Sequence, residues 1–138
     1  MKKKYTLELR ELNVLAKELL HEFVSGVVVL RGDLAAGKTT FVKAIAKELG
    51  EKEDVTSPTF SLQQCYGSDI YHYDIYNHGL EHFISLGMLE ELEKEGLHLI
   101  EWGDDALIEL LESAGIDVMS IDIKKISDKA REYSVCIY

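Results

Sequence analysis

Residues Gly32–Thr39 read Gly-Asp-Leu-Ala-Ala-Gly-Lys-Thr and follow the apolar run Val27–Leu30. They satisfy the pattern G-x-x-x-x-G-K-[ST], in which a glycine-rich turn points successive backbone N–H groups into one concavity that holds phosphate. Apolar residues then recur at helical spacing ahead of Gly50, a typical helix end; they are Phe41, Val42, Ile45 and Leu49. The sequence therefore predicts a strand, a phosphate-binding loop and a helix, in that order.

The loop and the first helical turn supply the residues expected to bind a polyphosphate. They are Gly32, Ala35, Ala36, Gly37, Lys38, Thr39 and Thr40. The N-terminus of the helix adds its positive end to the dipoles of the loop. We expect Lys38 to contact the β- and γ-phosphates and the Thr39 hydroxyl to ligate Mg²⁺. An ordinary glycine-containing turn is the alternative, and the flanking strand and helix patterns disfavour it.

Length and composition predict that residues 1–138 form a single domain. With 138 residues, of which 46% are hydrophobic, the chain is expected to bury one core rather than two. No run approaches the roughly 20 apolar residues that span a bilayer, and Met1–Lys4 is not followed by the apolar stretch of a secretory signal. We therefore expect a cytoplasmic protein without a membrane partner, in which Cys65 and Cys136 are reduced and buried.

The excess of acidic residues argues against direct binding of nucleic acid. The chain has 25 Asp and Glu residues against 15 Lys and Arg residues, a formal charge of −10, and this charge opposes contact with a phosphate backbone. The acidic residues are dispersed rather than gathered into one block. The favoured interpretation is that most of these acidic residues keep a small protein soluble. The alternative is that some of them form an acidic face that binds a basic partner.

Periodicity along the chain predicts alternating strands and helices. Strands are expected at residues 5–9, 27–31, 60–66, 70–76, 97–102, 118–126 and 133–138, with a hairpin turn at 67–69. Helices are expected at 12–23, after the phosphate loop, and at 80–86, 88–94 and 104–114, the last capped by Gly103 or Asp104. The predicted fold class is α/β, a single-domain P-loop NTPase fold. Its sheet is mixed and mainly parallel, flanked by helices, with short antiparallel strands to one side.

Two carboxylates at predicted strand ends are candidates to complete the site. Glu101 ends the apolar strand of residues 97–101, and Asp74 ends the strand of residues 70–74. Parallel strands gather their carboxyl ends at one edge of a sheet, where phosphate-loop enzymes place an acid near the metal. A polar residue at a strand end is commonly only solvated. Beside a phosphate loop, a catalytic role for both acids is the better interpretation.

Two other features have simpler interpretations. The segment Ser57–Thr59 lies where nucleotide-dependent loops often lie, and a threonine hydroxyl there could sense a γ-phosphate. On the residues alone, a rigid turn fixed by the only proline is favoured. His72, His78 and His82 invite a transition-metal interpretation, but no cysteine or acidic set completes such a site, so exposed or core-edge histidines are favoured.

Four segments together resemble the bacterial TsaE (YjeE) family. They are Gly-Asp-Leu-Ala-Ala-Gly-Lys-Thr-Thr at Gly32–Thr40, Thr-Ser-Pro-Thr-Phe at Thr56–Phe60, His-Tyr-Asp-Ile-Tyr at His72–Tyr76 and Ile-Glu-Trp at Ile100–Trp102. The phosphate loop alone is generic, whereas the ordered series over nearly the whole chain is specific. The resemblance implies an ATPase required for the threonylcarbamoyladenosine (t6A) modification of tRNA.

The resemblance implies roles for individual residues. Thr39 and Glu101 are implied to serve Mg²⁺, and Lys38 to bind the phosphates of ATP. Asp74 is implied to serve the hydrolytic step.

The resemblance also implies what surrounds the nucleotide. Thr59 would belong to a switch-like loop, and Trp102 would lie beside the site. The family binds the base between the N-terminal helix region and a C-terminal loop. The residues of this chain that would lie near adenine are Glu11 or Asn13, and Ala130 or Arg131.

Two residues depart from the family pattern. Ala35 replaces a usual glycine and adds a Cβ to the phosphate turn, which narrows the backbone conformations open to it. Asn77 stands where the family commonly has arginine, so the charge contact of that arginine is in doubt. We expect an intact nucleotide site with altered turnover.

The resemblance implies TsaD-like and TsaB-like partners, with ATP hydrolysis resetting their complex and tRNA met only through it. A nucleotide-gated binding module with little turnover is the first alternative. A small P-loop kinase is less favoured, since the chain has only three arginines, Arg10, Arg31 and Arg131, and no arginine-rich lid. A GTPase is disfavoured because no Asn-Lys-x-Asp segment is present.

Overall fold

The computed structural model describes residues 2–23, 25–33, 36–50, 63–66, 70–76 and 79–138. Within this part of the chain, seven strands form one sheet. The strands are β1 (Lys2–Glu8), β2 (Gly26–Arg31), β3 (Gln63–Tyr66), β4 (Ile70–Asp74), β5 (Leu97–Glu101), β6 (Val118–Lys125) and β7 (Ala130–Ile137).

Helices connect most of these strands. They are α1 (Leu12–Glu22), α2 (Lys38–Glu48), α3 (Gly79–Ser85), α4 (Met88–Glu91) and α5 (Asp105–Ser113), and a 3₁₀ turn, Leu9–Glu11, joins β1 to α1. None of the helices in the described ranges is long and apolar enough to cross a membrane.

The sheet has a parallel centre and antiparallel margins. Its strand order is β1-β7-β6-β2-β5-β4-β3. Strand β2 pairs in parallel with β5 and β6, and β4 pairs in parallel with β5. Val27–Leu30 in β2 is buried throughout, as expected of a parallel strand covered on both faces. The predicted mixed α/β sheet is confirmed, but antiparallel pairs lie on both sides of the parallel centre rather than on one.

Two hydrophobic cores lie on opposite faces of the sheet. One contains the buried residues of α1 and α2, among them Leu15 and Phe41, with Leu99 of β5. The other contains those of α5 and its neighbours, among them Leu107, with Ile100 of β5. Successive residues of β5 therefore enter different cores, as the alternation of side chains along a strand requires.

The edge strands are longer than their apolar patterns predict. β1 begins at Lys2 rather than at Tyr5, because the inward alternation continues through Lys3, whose Nζ lies 3.6 Å from Glu18 and 3.5 Å from Glu22 of α1. β7 begins at residue 130 rather than 133, because its pairing with β1 and β6 continues to that end of the strand. β1 and β6 end at residues 8 and 125, one residue earlier than predicted.

Several local boundaries also differ from the prediction. α4 ends at Glu91 rather than at residue 94, because the next N–H groups bond to carbonyls three residues back, as in a 3₁₀ turn. β4 ends at Asp74, because the N–H of Tyr76 turns to the Asp74 side chain. α5 is capped by Asp104, which accepts a hydrogen bond from the N–H of Leu107 at 3.0 Å, so this alternative is confirmed. The predicted residues 60–62 and 67–69 lie outside the described ranges, while β3 and β4 pair antiparallel as expected.

The expectation of buried cysteines was wrong. Both thiols are free, but Cys65 is exposed and Cys136 is half-buried. Cys65 lies on β3, which among the described residues is the last strand at one end of the sheet. Cys136 lies opposite Lys2 of β1, the last described strand at the other end. A small apolar residue at the margin of a sheet is covered less than one at its centre.

A buried histidine links β4 to β5. Nε2 of His98 lies 2.8 Å from the carbonyl oxygen of Lys94, which only accepts, so Nε2 carries the hydrogen. Nδ1 therefore accepts from the Tyr73 hydroxyl at 2.8 Å, and the Tyr71 ring stacks on the imidazole. Burial lowers the pKa of His98; the hydrogen bond to Lys94 and the charge of Glu91 oppose this effect. The folded protein thus favours the neutral ring.

We predict that His98 makes stability depend on pH. The unfolded chain takes up a proton near pH 6.5 while the folded chain does so only at lower pH, so stability rises with pH in between. The free energy of unfolding should fall as pH decreases from about 6.5 to the lowered pKa of His98 and then level off with respect to this group. Urea unfolding at a series of pH values, compared with His98→Gln, measures the effect. An identical pH dependence in both proteins would contradict it.

Candidate functional site

The phosphate-loop sequence joins the central strand β2 to helix α2. Gly32 has φ 153°, and a Cβ there would lie 2.5 Å from the carbonyl oxygen of Ile123 and 3.1 Å from Cβ of Ala36. Gly37 is the N-cap of α2 at φ 114°, in the left-handed region that favours glycine. Both fixed glycines of the motif therefore occupy positions that other residues fit poorly. Ala35 lies outside the described residues.

Lys38, the first residue of α2, is almost completely buried. Only 4% of it is exposed. Its Nζ donates to the carbonyl oxygens of Gly32 at 2.6 Å and Asp33 at 2.9 Å, and it lies 3.8 Å from the centre of the Trp102 ring. Burial lowers the pKa of Lys38, and the nearby charges of Glu101, Asp74 and Asp33 oppose that shift. The amine is thus held at the loop by oxygen atoms and an aromatic face.

The next residue of α2 contacts the acid that ends β5. The Thr39 hydroxyl donates to Glu101, with its oxygen 2.9 Å from Oε2 and 3.2 Å from Oε1. Glu101 is 3% exposed, and its Oε2 also lies 2.5 Å from Nε2 of His72 on β4. Three elements, α2, β5 and β4, therefore meet at one buried carboxyl group.

Strand register brings the second predicted acid to the same edge. Asp74 is the register partner of Glu101 in the parallel pair β4–β5. Its Oδ1 accepts from the N–H of Tyr76 at 2.9 Å, and its charge acts on Lys38. The structure thus brings Lys38, Thr39, Asp74 and Glu101 together at the carboxyl edge of the parallel strands, as the sequence predicts from strand ends.

Trp102 lies beside this cluster in an unusual backbone conformation. Its φ of 72° is the only positive value among the described residues other than glycine. Its N–H donates to the carbonyl oxygen of Leu30 at 3.0 Å, and its ring centre lies 4.5 Å from that of Tyr76. The ring is therefore fixed between Lys38 and Tyr76.

The residues expected near adenine lie where β1 ends and the neighbouring strand β7 begins. Nε of Arg131 donates to the carbonyl oxygen of Ala36 at 3.0 Å, and its Nη1 donates to that of Ser127 at 2.9 Å. Glu8 of β1 pairs with Ala130, and the Glu11 side chain accepts from the N–H of Glu8 at 2.9 Å. Arg131 is thus tied to the phosphate loop, and contact with a base stays a prediction.

Two further predicted site residues are at least partly accessible. Thr40, expected to bind phosphate, is half-buried, and Asn13, expected near adenine, is exposed.

The oxygen atoms of Glu101 and Thr39 are of the kind that ligate Mg²⁺. This cation prefers oxygen ligands and is commonly held by one or two carboxylates together with substrate phosphates and water. Glu101 and Thr39 supply a carboxylate and a hydroxyl oxygen in direct contact with each other. Within the described ranges, no group of three His, Cys, Asp or Glu side chains has the arrangement of an all-protein metal site. A site shared with phosphates is therefore the kind that these residues suit.

The contact of His72 with Glu101 was missed by the sequence analysis, which treated this histidine as exposed or at a core edge. His72 is completely buried. One signal was available, since His72 lies two residues before Asp74 and so shares its face of the strand. His82 is exposed. The segment Ser57–Thr59, Asn77 and His78 lie outside the described residues.

The strand, loop and helix define a class of protein. The loop sequence leaves the central strand of a mixed sheet, and an acid ends the neighbouring parallel strand. This is the arrangement of a P-loop NTPase fold.

Comparison with known proteins identifies the family. The family model of the threonylcarbamoyl adenosine biosynthesis protein TsaE matches residues 6–133. The chain therefore belongs to the TsaE family, and the expected resemblance is confirmed.

Individual relatives agree with this assignment. The tRNA threonylcarbamoyladenosine biosynthesis protein TsaE of Treponema pallidum (strain Nichols) is 42% identical over 112 residues, which cover 79% of this chain and 80% of the relative. That of Bacillus subtilis (strain 168) is 39% identical over 109 residues, covering 77% and 66%. The crystal structure of Bacillus subtilis YdiB is similar with a TM-score of 0.68 and 31% identity, over 98% of this chain and 84% of that chain.

We predict that Gly32→Ala is more destabilising than Gly50→Ala. Both glycines have positive φ, but only at Gly32 does a Cβ meet other atoms within 4 Å. Gly50→Ala should lower the free energy of unfolding by about 1–2 kcal/mol through backbone strain. Gly32→Ala should lower it by about 2–5 kcal/mol, because crowding adds about 1–3 kcal/mol. Urea unfolding of both variants measures this, and equal losses would show that the loop is not crowded at Gly32.

Proposed function

We propose that this protein binds and hydrolyses ATP as a subunit of the machinery that makes t6A in tRNA, where its turnover cycles a complex of TsaB-like and TsaD-like proteins. Membership of the TsaE family supports a role in threonylcarbamoyl adenosine biosynthesis. The observation that carries the ATPase proposal is the convergence of Lys38 and Thr39 on Glu101 and Asp74 at one sheet edge.

The phosphate loop would bind the triphosphate through main-chain N–H groups and the N-terminus of α2. Lys38 is already at the loop, where Nζ bonds to two neutral carbonyl oxygens. A phosphate oxygen carries charge and makes a stronger hydrogen bond to an ammonium group than a carbonyl does. We therefore expect a bound phosphate to replace these carbonyl partners of Nζ.

Thr39 and Glu101 are the residues that would hold Mg²⁺. When bound, Mg²⁺ would neutralise the negative charge that develops on the phosphates in transfer. The Thr39 hydroxyl has lone pairs for a cation and a hydrogen for Glu101, so it is able to serve both. Their direct contact keeps the two groups together before any ligand arrives.

Asp74 is proposed to orient the attacking water. It lies beside Glu101 in register, and one carboxylate oxygen accepts from the N–H of Tyr76. This hydrogen bond orients the carboxylate, and carboxylate oxygens accept hydrogen bonds from water. The two acids would thus have different roles, since Glu101 would ligate Mg²⁺ and Asp74 would orient the attacking water.

The proposed partners explain how ATP turnover would be used. Hydrolysis removes the γ-phosphate contacts that hold a loop, so a bound complex would shift between two arrangements. TsaB-like and TsaD-like proteins would receive that change, and tRNA would be met through them. The cytoplasm is the proposed location.

The kinase alternative is disfavoured by the arginines. Arg31 is bound to Asp122 and Asp105, and Arg10 pairs with Glu8. Arg131 donates to backbone carbonyls. A phosphoryl-transfer clamp would have to draw these groups away from existing partners. A nucleotide-gated module with little turnover remains the second candidate, because the sequence departs from the family pattern at Ala35 and Asn77.

We predict that Lys38→Ala abolishes partner-stimulated ATP hydrolysis. Loss of one charged donor to the transferring phosphate should reduce phosphate release by roughly 100-fold or more. Phosphate release is measured for the protein alone and with TsaB and TsaD proteins. Lys43→Ala, which removes an exposed lysine from the same helix, is the control and should match wild type. ATP-dependent association with the partners without turnover would favour the gated module, and transfer of labelled phosphate to a small acceptor would favour the kinase.

We predict that Asp74→Asn separates hydrolysis from binding. Loss of the group that orients water should slow hydrolysis by roughly 100-fold or more, while ATP and Mg²⁺ still bind. The fluorescence of Trp102, the only tryptophan, reports binding beside Lys38. Asp117→Asn removes the same charge before β6, at the opposite end of the parallel strands, and should leave both properties unchanged. Equal loss of binding and hydrolysis in Asp74→Asn would contradict the proposed role.

A further inference from the structure

We infer that His72 is a positioning residue, which holds the Glu101 carboxylate in the orientation needed to bind Mg²⁺. This inference rests on the proposed function, since it concerns the same metal. It assigns a role to a buried side chain that neither the phosphate loop nor the two strand-end acids account for.

The direction of the hydrogen bond follows from its partners. Nε2 of His72 lies 2.5 Å from Oε2 of Glu101, and a carboxylate only accepts. Nε2 therefore carries the hydrogen and donates it. His72 is completely buried and Glu101 almost so, which shields this bond from competition by water.

The geometry gives Glu101 two donors from different elements. Thr39 approaches from α2 and His72 from β4, while Glu101 itself ends β5. If the Thr39 hydroxyl reorients toward a cation and phosphates, the bond from His72 still fixes the carboxylate. Without His72, the carboxylate would depend on a single hydrogen bond, from a hydroxyl that would also serve the cation.

A second buried histidine offers a comparison. His98 is also completely buried, but its partners are the Tyr73 hydroxyl and the Lys94 carbonyl, away from Thr39 and Glu101. A purely structural histidine such as His98 would affect the stability of the fold but not the affinity for metal. A positioning role also predicts that His72 affects the affinity for metal.

The test compares variants at position 72 with a neighbour on β4. His72→Leu removes the donor, and His72→Gln restores an N–H group at about the reach of Nε2. Tyr73→Phe is the matched control, because it removes another buried hydrogen bond from the same strand. MgCl₂ is titrated into each protein with saturating ATP, and Trp102 fluorescence is followed. Thermal unfolding is recorded in parallel.

Partners that orient metal ligands typically affect metal affinity by about 10–100-fold. His72→Leu should therefore raise the Mg²⁺ concentration at half-maximal response by about 10–100-fold. His72→Gln should return it to within roughly threefold of wild type, and Tyr73→Phe should not change it, whatever its stability. If His72→Leu does not fold, His72→Asn, whose amide is too short to reach Glu101, takes its place with the same expected rise.

Two outcomes overturn the inference alone. A folded His72→Leu or His72→Asn with wild-type Mg²⁺ dependence shows that His72 is structural. A folded His72→Gln without any recovery shows that the donated hydrogen bond is not the cause. Failure of the wild type to respond to ATP with MgCl₂ overturns the proposed function, and this inference with it.

Discussion

Parallel pairing of β5 with both β2 and β4 is the constraint on which the site depends. The register places Glu101 opposite Leu30 on one side and Asp74 on the other. Leu99 and Ile100 enter different cores, and His98, which precedes them, is held in that register by the Tyr73 hydroxyl of β4 and the carbonyl oxygen of Lys94. A shift of one residue would turn Glu101 toward the core under α5 and would bury a carboxylate among apolar side chains. Packing far from the loop thus decides where the acid lies.

The same packing requires that every buried polar group near the loop have a partner. A buried charge without one costs several kcal/mol. In the described part of the chain, no buried side-chain nitrogen or oxygen lacks a hydrogen-bond partner. Glu101 is satisfied by Thr39 and His72, and Lys38 by carbonyl oxygens of the loop. Under the proposed function, ATP and Mg²⁺ would therefore exchange existing contacts rather than relieve unpaired groups, so the site is arranged before its ligands bind.

The parts of this arrangement that follow from local pattern were predictable. The loop octet, its flanking strand and helix, and the two acids at strand ends each need only the periodicity of one segment and the rule that parallel strands end at one edge. The contact of His72 with Glu101 depends on which strands are neighbours, which sequence spacing does not state. The start of β1 was missed because Lys3 faces inward through an ion pair with α1. Cys65 is exposed because β3 is, among the described residues, the last strand at one end of the sheet. These errors arise where tertiary position overrides residue type.

Backbone strain at Trp102 and the contact of its ring with Lys38 are opposing contributions of similar size. A side chain other than glycine at positive φ costs about 1–3 kcal/mol of backbone strain. The face of its ring lies 3.8 Å from the buried Lys38 amine, and a desolvated contact of this kind contributes about 2 kcal/mol. Because the two terms are of similar size, the lysine offsets most of the strain in the residue that follows Glu101. The position of Lys38 and the conformation of Trp102 are therefore linked, and a ligand that draws the amine toward phosphate weakens the contact that holds the ring.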